Sequence, residues 1–247
     1  MPVAELLGGI VRREVPVKIS LSGDGDDLRR AYETACSLGF RAFKVKVGRD
    51  PDDDVARVRL LREIAGNHVY FGVDANGGWS APVACATVQR MLESDIAFVE
   101  QPVPADDLAG MREVRALGVP VVADESVYSP ADVVRVAEAE AADIVSIYVG
   151  KSSGLERGVE AARAASRLGL GVVVGANGEM GLGAAAQVHV ACACEDLGAV
   201  PCGIIGHHFY EEDVTLVEPL AIDGVARLPE APGLGVEPSD AIRRSFS

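Results

Sequence analysis

Two lysines two residues apart, Lys44 and Lys46 in "RAFKVKVG" (41–48), sit inside an apolar run of strand character, and three acids, Asp74, Glu100 and Asp124, each close a later apolar run. The acids are spaced 26 and 24 residues apart (100 − 74 and 124 − 100). That is the length of one strand–helix unit, so the three carboxylates fall on successive strand ends and converge on one mouth. Left alone at low dielectric they repel one another: either their pKa values rise or a cation sits among them. Hard, all-oxygen donors with positions left for water and substrate suit Mg²⁺ or Mn²⁺. Side chains alternate along a strand, so Lys44 and Lys46 face the same mouth. A lysine crowded by a second ammonium and a divalent cation has its pKa pushed down, which makes it a general base near neutral pH. Plainer uses exist for each residue, since lysines snorkel at strand ends and Asp caps the helix after a strand. Five such residues in register weigh against those uses.

The elements that must position these residues recur with a regular beat. Strand-like runs lie at 15–21, 42–47, 69–74, 96–100, 120–124, 143–149, 171–176 and 200–205. Helix-patterned stretches fall between them, for example 26–38 closed by Gly39, 52–65 closed by Gly66, and 130–141 opening on Pro130. Eight such units predict an α/β fold, a closed TIM-type (β/α)₈ barrel whose chemistry sits at the C-terminal strand ends. No GxGxxG opens the first helix, which counts against an open dinucleotide-binding sheet. A chain of 247 residues, 49% of them hydrophobic, fills one such barrel.

The net charge of −14, with no basic cluster to offset it, excludes nucleic acid as a partner. No apolar stretch approaches the roughly 18 residues of a membrane span, and the N-terminus lacks the layout of a secretory signal, so the expectation is a cytoplasmic protein with no membrane contact. Cys36, Cys85, Cys192, Cys194 and Cys202 lie in apolar segments and read as reduced core residues.

Seven pieces in order carry a resemblance: "KVKVG" (44–48), "VDANGGW" (73–79), "VEQPVP" (99–104), "ADES" (123–126), "GKSSGL" (150–155), "GANGEMGLG" (175–183) and "EAPGLGVE" (230–237). Over essentially the whole chain they resemble the C-terminal barrel domain of the enolase superfamily, in the muconate lactonizing enzyme and mandelate racemase branch. The resemblance implies that Asp74, Glu100 and Asp124 hold Mg²⁺, which binds the carboxylate of a small-molecule substrate and stabilises an enediolate after the α-proton is removed. Lys46 would be the base on one face and Lys44 its electrostatic neighbour. Asn76, Gln101 and Glu125, beside the ligands, would contact substrate or hold the ligands in place. Glu179 would be either a supporting acid or the start of a helix, and His207 and His208 would reach substrate from the eighth loop. The implied reactions are epimerisation or racemisation, dehydration by a lyase, and cycloisomerisation.

Three departures qualify the resemblance. Tyr148 stands where two-base members carry a second catalytic lysine, and Lys151 follows three residues later. Either Tyr148 is the opposite-face acid, or Lys151 reaches in, or one base suffices. The eighth strand carries Cys202-Gly203-Ile204 in place of the acids that bind a dipeptide's amino group. Finally, the chain opens where relatives pass from an N-terminal α+β cap into the barrel. The expected layout is therefore a linker remnant at 1–14, the barrel at 15–214 and a returning segment at 215–247, without the cap. An uncovered apolar rim argues for a homo-oligomer. The alternative expectation is a cap-less, catalytically impaired metal-binding barrel, or a fragment of a longer enzyme.

Overall fold

The run expected as one strand at 15–21 is divided. Its first part, β1 (Glu14–Pro16), pairs antiparallel with a late hairpin, while its second, β2 (Ile19–Leu21), opens a parallel sheet. The crossing falls at Val17 and Lys18, whose amides donate to Gly224 O (2.9 Å) and Cys202 O (2.8 Å) respectively. This computed structural model describes residues 1–210, 212–215 and 220–245, with the side chains of 207, 209 and 241 also outside the described set. The returning segment expected at 215–247 is thus described only at 215 and 220–245.

The sheet continues in chain order through β3 (Ala42–Lys46), β4 (Tyr70–Asp74), β5 (Val99–Glu100), β6 (Val121–Ala123), β7 (Ile144–Ile147) and β8 (Gly171–Val174), all parallel. Val45, Val73, Val99 and Val121 stand side by side across four strands and are fully buried. Each contributes about 1.5–3 kcal/mol by leaving water. They share one face of the sheet, so the residues that alternate with them share the other.

No eighth strand forms at 200–205. Cys202 alone bridges Val17 in parallel, its amide donating to Pro16 O (2.9 Å), while Gly203 N donates to Val174 O (2.7 Å) on the other side. Pro201 has no N–H to extend the ladder, so the ring closes through about two residues.

Helices α1 (Val3–Leu6), α2 (Gly25–Ser37), α3 (Pro51–Ala65), α4 (Ala81–Met91), α5 (Leu108–Arg115), α6 (Pro130–Glu138), α7 (Leu155–Arg167) and α8 (Gly181–Ala193) accompany the strands. The first turn of α3 carries Asp52, Asp53 and Asp54, of which only Asp54 is buried. Asp50 is the cap, accepting from Asp52 N (2.9 Å) and Asp53 N (3.2 Å), and Pro51 takes the first turn. Asp54 is fully buried, accepts from Gly48 N and Arg49 N at 2.9 Å, and pairs with Arg57 at 2.8 Å. Arg57 in turn donates to Lys46 O at 2.9 Å, so this pair anchors the strand end that carries Lys46. Gly48 is required there: its φ is +96°, and a Cβ would come within 2.2 Å of Ala75 O.

At the opposite end, the hairpin of β9 (Ala221–Ile222) and β10 (Val225–Arg227) completes a three-stranded sheet with β1, and α9 (Asp240–Ser245) ends the described chain. The fully buried His189 of α8 accepts from Ala4 N at Nδ1 (3.1 Å) and places Nε2 3.2 Å from Leu234 O, tying α1 and the C-terminal segment to the barrel. Among the described residues, no helix is long and apolar enough to cross a membrane.

Candidate active site

Strand register sets acid and base at one height. Lys46 pairs with Asp74, and Asp74 with Glu100, so their side chains emerge on the same side. Lys44 starts one layer lower, level with Ser20 and Gly72. It reaches up to place Nζ 2.5 Å from Glu100 Oε1 and 2.9 Å from Asp74 Oδ2. Lys46 Nζ lies 2.6 Å from the same Asp74 oxygen and donates to Asn76 Oδ1 at 2.8 Å. Just past β6, Asp124 pairs with Lys151, whose Nζ also donates to Asp124 O (2.7 Å) and Ser146 O (2.9 Å). Exposure separates the three lysines: the Lys46 side chain is 40% exposed, against 14% for Lys44 and 2% for Lys151. Of the three, Lys46 is the one open to a molecule entering the mouth.

Burial and neighbouring charge fix the protonation states. Burial pushes Asp74 up, but Lys44 and Lys46 outweigh it and hold the carboxyl at about 2. Glu100 goes the other way: burial, with the repulsion of Asp74 and Asp124, raises it against the pull of Lys44 and Lys18. Burial draws the Lys44 ammonium down, yet Asp74, Glu100 and Asp124 more than compensate and hold it above lysine's ordinary range.

Three buried carboxylates, with Glu100 raised by burial and by the repulsion of Asp74 and Asp124, form, in donor chemistry, a set that a hard divalent cation neutralises. As they stand, the ammoniums of Lys44 and Lys151 hold them, and no three Asp, Glu, His or Cys side chains among the described residues converge as a ready cage. The residues fit such a cation provided Lys44 withdraws from between Asp74 and Glu100.

The supporting positions divide. Asn76, at φ +44°, is held by its amide on Asp74 Oδ1 (3.0 Å) and by Nδ2 on Glu125 Oε1 (2.9 Å), and so aims its oxygen at Lys46. Burial, then the charge of Asp124, raises Glu125. Gln101, at φ +35°, is fully buried; its Oε1 accepts from Asp124 N (2.9 Å), and its Nε2 donates to Val103 O and Ser126 Oγ (2.9 Å each). It brackets the ends of β5 and β6 and has no surface for substrate, which removes that half of its expected role. Positive φ at these two residues costs about 1–3 kcal/mol each, held by the surrounding bonds.

Tyr148 follows β7, is 7% exposed, and lies under Lys151, whose Nζ is 4.4 Å from the ring centre. Gly175 makes room for it, since a Cβ there would come within 2.9 Å of Cδ1. Burial, then Asp124 and Glu125, pushes its phenol above the ordinary range. Glu179 turns back to accept from Asn177 N (2.9 Å) ahead of α8, whose cap is Met180, so it neither meets the lysines nor opens the helix. The His207 side chain lies outside the described residues. His208 sits 3.0 Å from Ala221 O, beside β9, and edge-on to Phe40.

One residue escaped sequence reasoning. Lys18, 3% exposed, enters the barrel beneath Ser20 and lines a narrow cleft of about 50 Å³ at the mouth, together with Ser20, Lys44, Glu100, Asp124 and Ser146. The signal was present: a lysine at an alternating position in "VPVKISL" is the same anomaly as Lys44 in "AFKVKV".

A parallel barrel with lysines and carboxylates at the C-terminal strand ends defines a class of α/β enzyme domain. The chain belongs to the enolase C-terminal domain-like family, whose model matches residues 27–242. Its relatives include muconate cycloisomerase 1 of Rhodococcus opacus, 34% identical over 244 residues, 96% of this chain and 64% of that protein. The L-Ala-D/L-Glu epimerase of Clostridium acetobutylicum is 32% identical over 250 residues, 96% of this chain and 66% of that protein. Among solved structures, 2-chloromuconate cycloisomerase from Rhodococcus opacus 1CP superposes with a TM-score of 0.92 at 31% identity, covering 100% of this chain and 69% of that one. The chain thus spans about two thirds of the length of the curated relatives it matches.

Proposed function

We propose that this barrel removes the α-proton of a small carboxylate substrate with Lys46 as its one base, opening an isomerisation or elimination that needs a single basic face. The observation that carries this is the contrast among the amines. Lys46 Nζ stands at the mouth between Asp74 and Asn76 on a side chain 40% exposed, whereas Lys151 directs its Nζ at Asp124 and Ser146 O and position 148 holds a phenol. Mg²⁺ or Mn²⁺, held by Asp74, Glu100 and Asp124 when bound, would supply positive charge at the substrate carboxylate.

The chain's own residues do the rest. Asp74 and Asn76 orient Nζ of Lys46, which in its neutral form takes the α-proton. In a loss of water the C–H pair becomes the new double bond, the β C–O bond breaks and the same ammonium protonates the departing oxygen; where no group leaves, it returns a proton to the same face. Lys44 keeps positive charge beneath the reacting end, and Gln101 keeps the strand ends in register. Epimerisation needs a proton donor and acceptor on the opposite face, and Tyr148, whose phenol burial pushes above its ordinary range, is a poor acid and no base at neutral pH. Cycloisomerisation or loss of water is therefore favoured over inversion. Cytosolic residence and assembly with further copies belong to the same proposal; sedimentation reads the latter.

The test is proton NMR in D₂O with Mg²⁺ or EDTA and pooled acid-sugar, amino-acid and unsaturated carboxylates. Mg²⁺-dependent loss of α-proton signal supports the reading, and no exchange by folded, metal-loaded protein contradicts it. A second reading, a barrel that binds without turnover, draws on the pairing of Lys44 and Lys151 with the metal-ligand acids. It predicts metal binding with no exchange.

A further inference from the structure

Lys18 is a charged side chain 3% exposed inside the barrel, and the mechanism above leaves it unused. An ammonium carries three donors. Among the described residues Lys18 Nζ gives one, to Pro201 O at 2.6 Å, and has no carboxylate within ion-pair distance; its nearest ring, Phe98, is 5.6 Å from Nζ to the centroid. Burying a charge with so few partners is costly, and an apolar side chain would fill the same floor.

The surroundings say what the charge faces. Ring interiors of this fold are ordinarily filled by layers of branched side chains. Here the small residues Ser20, Ser146, Gly175 and Gly203 line a cleft of about 50 Å³ whose wall also carries Asp124, Glu100 and Lys18. The cleft therefore has two charged ends: the acids and Lys44 above, and Lys18 below.

We propose that Lys18 is a specificity-determining residue whose remaining N–H donors bind an oxygen acceptor, a carboxylate or carbonyl, at the end of the substrate remote from its reacting carboxylate. Burial draws the ammonium down to about 8, with Glu100 opposing that pull and Lys44 adding to it, so at neutral pH it carries the charge such an acceptor needs. The inference rests on the proposed reading only in taking the mouth as the substrate entrance.

The test is binding, by titration calorimetry on the Mg²⁺-loaded full chain, of glutarate, which carries a second carboxylate, against butyrate, which does not. A charge-assisted hydrogen bond predicts that glutarate binds about tenfold tighter to the natural protein. In Lys18→Met the ratio falls to about one, and in Lys18→Gln, which keeps a donor and fills less apolar volume, it is intermediate. With ¹⁵N-lysine labelling, glutarate moves the Lys18 Nζ resonance and butyrate does not. Equal affinity for the two acids in the natural protein, or a preference that survives in folded Lys18→Met, overturns the inference and means the spare donors hold only water. Those outcomes leave D₂O exchange untouched, whereas a glutarate preference without any exchange sinks the catalytic reading and keeps Lys18 as a ligand.

Discussion

Replacing Lys18 with methionine keeps the side-chain length and removes the charge, and the structure predicts a protein that is harder to unfold at neutral pH. Burial brings the ammonium from 10.5 down to about 8. The difference of 2.5 (10.5 − 8), at about 1.36 kcal/mol per pKa unit, puts the cost of the buried charge at about 3 kcal/mol. Methionine leaves Pro201 O without its donor, which offsets about 1–2 kcal/mol and leaves a net gain of the same size. Because the folded pKa lies below the unfolded one, the unfolded chain holds more protons between pH 8 and 10.5, and the natural protein gains stability as pH rises through that window. Below pH 8 the penalty is present in full. Urea unfolding of both proteins at neutral and alkaline pH reads this directly, provided the slopes agree. Lys18→Met should have the higher midpoint at pH 7, and the advantage should vanish by about pH 10. A variant less stable at pH 7, or a gap that does not change with pH, would refute the assignment of Lys18 as a poorly compensated buried cation.

Three further outcomes follow. Arg57→Ala strips the buried Asp54 of its partner and Lys46 O of its donor; it should cost about 3–5 kcal/mol in urea unfolding, and a loss below about 1 kcal/mol would count against the anchor. Burial holds His189 below 6.5, so the unfolded chain protonates first and stability falls as pH drops beneath 6.5; His189→Gln should flatten that acid limb in thermal unfolding, and an unchanged limb would assign it elsewhere. Lys44→Met leaves Asp74 and Glu100 short of a cation, so it should cost about 3–5 kcal/mol in EDTA. Mg²⁺ at about 100 times its Kd should restore about 2.7 kcal/mol, and a larger Mg²⁺-dependent rise in melting temperature in the natural protein than in the variant would contradict the competition between Lys44 and metal.

The sequence made the barrel legible because its period is redundant: valines at alternating positions, helix stops at Gly39 and Gly66, and acids one unit apart all report one repeat. It failed where one residue decides. The chain passes from one sheet to the other at Val17 and Lys18, and Pro201 has no N–H for the ladder, so the first run splits and the eighth forms only the Cys202 bridge. At the site, alternation placed Lys44 and Lys46 together, but only the register shows that Lys46 is level with Asp74 while Lys44 climbs from below to bridge two acids. Whether Gln101 meets substrate or clamps two loops depends on a side-chain path that spacing does not encode. Lys18 was hidden by the length of the run around it, which read as one strand and gave its lysine no distinct place.

The central claim, a site with one working base, is tested most directly by following a single enantiomer of whichever carboxylate exchanges in D₂O, by NMR and chiral chromatography together. The arrangement of Lys46 against Tyr148 predicts exchange with retention of configuration and no accumulation of the opposite enantiomer, abolished in Lys46→Ala. Racemisation keeping pace with exchange, or exchange that persists in folded Lys46→Ala, would contradict it.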